Sequence, residues 1–96
     1  MTEDNKKRIE TFCNYVATNY RESQILLVYE ELGELISAIN KYRRKKITFE
    51  DFISEIADVE IMLHQLKKLY KVDQDQIDDI KVQKIERAIK AYNLTI

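Results

Sequence analysis

The sequence contains no proline and no tryptophan, and it has only one glycine and one cysteine among its 96 residues. Because hairpins and tight turns draw on glycine and proline, their near absence argues against an all-β domain and favours helices. A single cysteine, Cys13, cannot form an internal disulfide, which excludes a disulfide-stapled secreted domain. We therefore expect an all-α protein in a reducing compartment, the cytoplasm.

Long hydrophobic runs and a strong net charge are missing as well. No segment approaches the roughly 18 uncharged apolar residues of a membrane span, and no apolar run follows the N-terminus to mark a signal peptide. Sixteen basic and 17 acidic residues give a net charge of −1, which argues against general nucleic-acid binding. We expect neither membrane nor nucleic acid as a partner, and the length predicts one domain over residues 1–96.

The charges are unevenly distributed along the chain. No basic residue lies between Arg21 and Lys41 or between Lys46 and Lys67, although both segments contain several acids. Basic residues instead lie at the N-terminus, in the run 41–46 and towards the C-terminus. Like charges at helical spacing repel each other by a few tenths of a kcal/mol per pair, so two segments with acids alone require an explanation.

Apolar residues recur at helical spacing and predict four helices. The predicted ranges are about 5–19, 23–42, 49–70 and 74–92. Ser23 is the predicted N-cap of the second helix. Thr48 with Asp51, and Asp73 with Gln76, fit the capping-box pattern at the starts of the third and fourth helices. The short connections favour antiparallel neighbours and hence a helical bundle.

The second and third helices are apolar over more than one stripe, which is typical of helices buried against several partners. A 96-residue monomer has little interior for two such helices. We therefore expect a four-helix bundle-like protomer that is completed in a homo-oligomer, either a homodimer or a homotetramer. Gly33 lies inside the second helix, where we expect it to allow a neighbouring helix to approach closely.

Four carboxylates form the most informative pattern. Glu31 and Glu34 lie one turn apart on the second helix, and Glu55 and Asp58 repeat that spacing on the third. If the two helices are antiparallel, the four groups can converge, and they then require either protons or a cation because each loses water and repels the others. Ligands that are all oxygen favour Mg²⁺, with Mn²⁺ as an alternative, over Zn²⁺. The competing interpretation of each pair is a solvated helix face.

The segments 30–34 (EELGE) and 55–58 (EIAD) resemble the E-E-x-x-E … E-x-x-D signature of MazG-like nucleotide pyrophosphohydrolases. These enzymes belong to the all-α NTP pyrophosphatase superfamily, and the likeness covers roughly residues 20–92. The resemblance implies hydrolysis of a nucleoside triphosphate to its monophosphate and pyrophosphate, with a role in nucleotide-pool housekeeping. It also implies a Mg²⁺ site formed by four side chains: Glu31, Glu34, Glu55 and Asp58.

General chemistry and the same resemblance suggest candidate residues for the other steps. A carboxylate that is not fully committed to the metal could accept a proton from water, and Glu30 and Glu34 are both candidates for this catalytic role. Gln24 is similar in position to residues that the family places near the nucleotide, so it is a candidate for substrate binding.

Phosphate contacts require basic residues. Lys84 and Arg87, one turn apart on the fourth helix, correspond to a Lys and an Arg in similar family members and are candidates for substrate binding. The alternative for this pair is a solvated, salt-bridged helix face. The basic run 43–46 is a second candidate, and its alternative is a solubilising turn.

Two other functions fit parts of the sequence. The chain could be a catalytically inactive helical oligomer that serves as an interaction or regulatory module. It could also act on another pyrophosphate-containing metabolite, as phosphoribosyl-ATP pyrophosphohydrolases do. A carboxylate-bridged di-iron centre is disfavoured, because such bundles use two Glu-x-x-His pairs and His64 is the only histidine.

Overall fold

The computed structural model describes all residues from 1 to 96, and the chain is helical apart from its ends and short connections. The helices are α1 (Glu3–Tyr20), α2 (Gln24–Arg43), α3 (Phe49–Leu69) and α4 (Gln74–Ala91), with a 3₁₀ turn, Arg21–Ser23, between α1 and α2. The predicted all-α class is confirmed, and every helix boundary lies within two residues of its predicted position. None of the helices combines the length and apolar character that crossing a membrane requires.

The starts of α3 and α4 follow the predicted capping pattern. The Thr48 hydroxyl accepts a hydrogen bond from the Asp51 N–H at 3.1 Å, and the Asp51 carboxylate accepts one from the Thr48 N–H at 3.2 Å. Asp73 and Gln76 form the same reciprocal pair at the start of α4. Ser23 occupies the predicted N-cap position of α2, but its side chain makes no capping hydrogen bond. Because the 3₁₀ turn already holds Ser23 in helical geometry, its hydroxyl donates backward to the Tyr20 carbonyl.

The C-terminal ends of α2, α3 and α4 share a feature that glycine normally supplies. Lys45, Lys71 and Asn93 have positive φ angles of 59°, 55° and 53°, and at each end the following N–H bonds back to a carbonyl of the last helical turn. This closure usually places glycine at the left-handed position. Since the only glycine lies within α2, asparagine, which tolerates this conformation, takes the position after α4, and two lysines take it after α2 and α3 at a cost of about 1 kcal/mol each.

The packed part of the molecule consists of α1, α2 and α3. The most extensive contact joins α2 to α3, which the short turn 44–48 makes antiparallel, and α1 packs chiefly on α3. Near that turn the rings of Tyr42 and Phe52 stack, with centroids 4.9 Å apart. The buried apolar side chains are Cys13, Val16, Val28, Ala38 and Val59. This small core fixes the α2–α3 hairpin, which carries the acids.

A polar contact links α1 to α3. The Glu10 carboxylate lies 3.0 Å from Nε2 of His64 and also pairs with Lys68. Burial lowers the pKa of His64, and the nearby positive charge of Lys67 lowers it further. The single histidine therefore has a structural partner on α1.

Helix α4 lies outside this packed unit. It has no buried residue, and all extensive contacts between helices lie among α1, the 3₁₀ turn, α2 and α3. The predicted four-helix arrangement is thus met only in part, because three helices pack together and the apolar side chains of α4, with Ile80, Val82 and Ile85 at least half exposed, are left uncovered. Gly33 also departs from expectation, since a Cβ placed there would meet no atom within 4 Å.

The protomer is open for its mass. Its accessible surface is 8119 Å², whereas a compact 11.5 kDa monomer exposes about 5,800 Å². The radius of gyration is 16.5 Å, against about 12.5 Å for a compact domain of this length. Much of the additional surface is apolar, since Leu26, Ile36 and Ile85 are at least 60% exposed.

Replacing the left-handed lysine after α3 by glycine should stabilise the fold. We expect Lys71→Gly to raise the free energy of unfolding by about 0.5 to 1 kcal/mol, because glycine tolerates positive φ without the Cβ clash. Urea denaturation followed by circular dichroism measures the change. The control is Lys7→Gly in the interior of α1, which should lower the same quantity by about 1 kcal/mol. Loss of stability in Lys71→Gly would contradict this account of the helix ends.

Candidate metal centre

The four predicted carboxylates meet between α2 and α3. Glu31 and Glu34 lie on α2, Glu55 and Asp58 lie on α3, and each side chain offers one oxygen. All four oxygens lie within 4.8 Å of one another. The structure therefore brings together the four residues that the sequence spacing selects.

The cluster is electrostatically strained around Glu31. Burial raises the pKa of Glu31, and the neighbouring charges of Glu34, Asp58, Glu55 and Glu30 raise it further in that order. The Oε2 atom of Glu31 is buried and has no hydrogen-bond partner. A carboxylate oxygen without water or a donor requires a proton or a cation to be stable there.

Glu55 is in a similar position on the facing helix. Burial is the largest cause that raises its pKa, and the neighbouring carboxylates of Glu34 and Asp58 raise it further. Its Oε2 atom is also buried without a partner. Lys41 acts in the opposite direction and lowers the pKa of Glu55, so one cationic group lies near the cluster.

The donor set fits a hard divalent cation. All four ligand atoms are carboxylate oxygens, the type that Mg²⁺ and Mn²⁺ prefer. Two oxygens on opposite sides of an octahedral Mg²⁺ lie about 4.2 Å apart, close to the 4.8 Å spread of the cluster. The residues present could thus hold Mg²⁺ with small side-chain rotations.

A polar cavity of about 300 Å³ lies beside the carboxylates, on the side facing the turn 44–48. Its polar lining residues are Glu34, Ser37, Lys41, Asp51, Ser54 and Glu55. Ser37, Lys41 and Ser54 were not selected from the sequence as site residues. The sequence gives only a weak indication of their role: Ser37 and Lys41 lie at helical spacing from Glu34, and Ser54 is next to Glu55.

The remaining predicted residues lie at different distances from the cluster. Glu30 is exposed on α2 and is outside the group of four. Gln24 is 2% exposed, its Nε2 donates to the Arg21 carbonyl at 3.1 Å, and its Oε1 has no partner. It therefore lies at the start of α2, two turns from Glu31, and not in the carboxylate cluster.

Lys84 and Arg87 are exposed on α4. Because α4 does not pack against α2, the structure does not bring these two side chains to the carboxylates within one protomer. The basic run 43–46 lies at the end of α2 and in the turn that follows, where all four side chains are exposed.

Comparison of the chain with models of protein families, with curated proteins and with solved structures gives no match. The function must therefore be inferred from the residues and the geometry of the site.

The raised pKa values predict how stability varies with pH in the absence of divalent metal. A carboxyl group whose pKa is higher in the folded protein contributes stability below its unfolded pKa, near 4.5, and that contribution is lost as pH rises through the folded pKa. We expect Glu55→Gln, which removes one such group, to be increasingly more stable than the wild type as pH rises from 4.5 towards neutral. Urea denaturation in EDTA across this range measures the difference.

Glu60→Gln is the matched control, because Glu60 is exposed on the same helix and is not one of the four carboxylates. Its difference from the wild type should change little with pH. Parallel pH curves for Glu55→Gln and the wild type would contradict the strain assigned to the cluster.

Proposed function

We propose that this protein is a Mg²⁺-dependent, MazG-like pyrophosphohydrolase that converts a nucleoside triphosphate, NTP or dNTP, to its monophosphate and pyrophosphate. The observation that carries the proposal is the convergence of Glu31, Glu34, Glu55 and Asp58 within 4.8 Å. Their E-x-x-E and E-x-x-D spacings match the signature that suggested this family. Housekeeping of the cytoplasmic nucleotide pool is the role that such an activity suits.

The four carboxylates would hold Mg²⁺, or Mn²⁺ in its place. When bound, the ion neutralises phosphate charge and lowers the pKa of a coordinated water. One carboxylate must then accept that water's proton. Glu34 is favoured over Glu30 for this role, since Glu34 belongs to the cluster and its charge raises the pKa of Glu55, whereas Glu30 lies outside the group of four.

The triphosphate carries more negative charge than one ion offsets, so donors are required beside the metal. Ser37, Lys41 and Ser54 line the polar cavity next to Glu34 and Glu55. A lysine ammonium and two hydroxyl groups are suitable donors for phosphate oxygens. The phosphate chain is therefore proposed to extend from the carboxylates into this cavity.

Self-association is the second part of the proposal. The accessible surface exceeds that of a compact monomer by about 2,300 Å², and obligate homo-oligomer interfaces bury 2,000 Å² or more. A homodimer or homotetramer would cover the exposed apolar side chains of α2 and α4. It would also complete a four-helix arrangement by packing α4 on a second copy, from which Lys84 and Arg87 could reach phosphate.

Activity tests the catalytic proposal directly. We expect Mg²⁺-dependent release of pyrophosphate from at least one NTP or dNTP, and none in EDTA. Asp58→Asn should reduce turnover on the order of 100-fold or more, because it removes a charged ligand from the metal site. The measurement is a pyrophosphate assay over all canonical and several damaged NTPs and dNTPs.

Glu60→Gln is again the control and should keep wild-type turnover, while circular dichroism should show full helix content in both variants. Normal turnover by Asp58→Asn would refute the assigned site. A wild-type protein that binds Mg²⁺ but releases no pyrophosphate would favour the inactive interaction module. Turnover of phosphoribosyl-ATP but of no NTP would favour the other alternative.

Light scattering tests the assembly. The wild-type protein should elute with a mass at least twice that of the 11.5 kDa chain. Ile85→Lys, which places a charge in the exposed apolar stripe of α4, should shift it to a smaller species. Gln83→Lys adds the same charge at an exposed polar position on α4 and should leave the mass unchanged. A monomeric wild-type protein would contradict self-association.

A further inference from the structure

An apolar cavity of about 350 Å³ lies on the other side of the carboxylate cluster from the polar cavity. It is open to solvent on one side and lies among α1, α2 and α3, and its apolar lining residues are Phe12, Val16, Tyr20, Leu27, Ile61 and Met62. Asp58, one of the four clustered carboxylates, also lines this cavity. The cavity therefore begins at the candidate metal centre.

Gln65 gives this cavity an unsatisfied polar group. Its side chain lines the cavity, the residue is only 2% exposed, and its Oε1 atom has no hydrogen-bond partner. A buried amide oxygen without a donor destabilises the fold, so native proteins rarely leave one unpaired. Because this oxygen is itself buried, a ligand that brings a hydrogen-bond donor into the cavity would satisfy it once the amide group turns towards the ligand.

The spacing along α3 fits one extended ligand that reaches both groups. Gln65 follows Asp58 by two helical turns, which places the two residues about 10 Å apart along the helix axis. The distance from the first phosphate of a nucleotide to the far edge of its base is similar. A ligand anchored at the carboxylates through its phosphates could thus place its base beside Gln65.

We propose that the apolar cavity is the nucleobase pocket and that Gln65 is a specificity-determining residue, an inference that rests on the proposed function. Phe12 and Tyr20 are about half exposed and offer ring faces for stacking on a base. The Gln65 amide has an oxygen that accepts a hydrogen bond and an NH₂ group that donates one. These two groups can pair with a base edge that carries a donor next to an acceptor. The substrate then lies along the hairpin, with its phosphates towards the turn 44–48 and its base towards α1.

Calorimetric titration with two probes separates the pocket from the metal site. The first probe is Mg²⁺ with inorganic tripolyphosphate, which has no base. The second is Mg²⁺ with each canonical nucleotide as its non-hydrolysable α,β-methylene analogue. We expect the wild type to bind at least one nucleotide analogue about tenfold or more tightly than tripolyphosphate, because stacking and hydrogen bonds add to the phosphate contacts.

Gln65→Met keeps the side-chain length and removes the amide. It should weaken binding of the preferred nucleotide analogue by about tenfold, leave tripolyphosphate binding unchanged, and preserve or raise stability because the unpaired oxygen is gone. Gln83→Met, at an exposed position on α4, should change none of these quantities. Unchanged nucleotide binding by Gln65→Met, equal weakening for both probes, or a loss of stability would overturn the proposed role of Gln65.

A second variant tests the cavity itself, including the case in which Gln65→Met does not fold. Leu27→Trp should fill the cavity and weaken nucleotide binding alone, whereas Gln83→Trp, at an exposed position on α4 that does not line the cavity, should not. Equal binding of tripolyphosphate and nucleotides by the wild type would overturn the base pocket while leaving the metal site intact. Selective nucleotide binding without turnover would overturn only the enzymatic function, and binding of neither probe would overturn both.

Discussion

The mutual repulsion of four carboxylates is the constraint on which the rest of this structure depends. Glu31, Glu34, Glu55 and Asp58 lie within 4.8 Å of one another, and two of them have a buried oxygen without a partner. Such an arrangement is unfavourable by itself, so the surrounding hairpin must stabilise it. The contacts that do so are the apolar packing of α2 on α3 and the stacked rings of the aromatic pair near their turn. A divalent cation would turn this repulsion into attraction, which couples metal binding to stability.

The α2–α3 hairpin has a polar cavity towards one end and an apolar cavity towards the other. Towards its turn lies a cavity with hydroxyl groups and Lys41, and towards α1 lies a cavity with aromatic and aliphatic side chains. The carboxylates separate the two. A nucleoside triphosphate has the same order of parts, namely an anionic chain, a reacting phosphate and an apolar base with hydrogen-bonding edges. The match between these two orders, and not the acidic cluster alone, is what favours a nucleotide over a smaller phosphorylated ligand.

The four helices and the carboxylate cluster could be predicted from the sequence. The helical period and the capping boxes are local patterns, and the four carboxylates need only an antiparallel pair of helices to come together. Features that depend on tertiary register could not be predicted. Ser37, Ser54 and Gln65 are ordinary polar residues within helices, and only the pairing of α2 with α3 and the packing of α1 give them a cavity to line. The side-chain role of Ser23 could not be predicted either, because the 3₁₀ turn before α2 changes its backbone geometry.

The isolation of α4 suggests how self-association would stabilise the carboxylate cluster. The amphipathic pattern of α4 predicts a packed helix, yet in one chain it has no buried residue and makes no extensive contact with the other helices. The apolar faces that remain open on α2, at Leu26 and Ile36, belong to the helix that supplies half of the carboxylates. A second copy that covers these faces would therefore hold α2 in register with α3. Assembly would then stabilise the geometry of the metal centre as well as the fold, and dissociation should weaken both together.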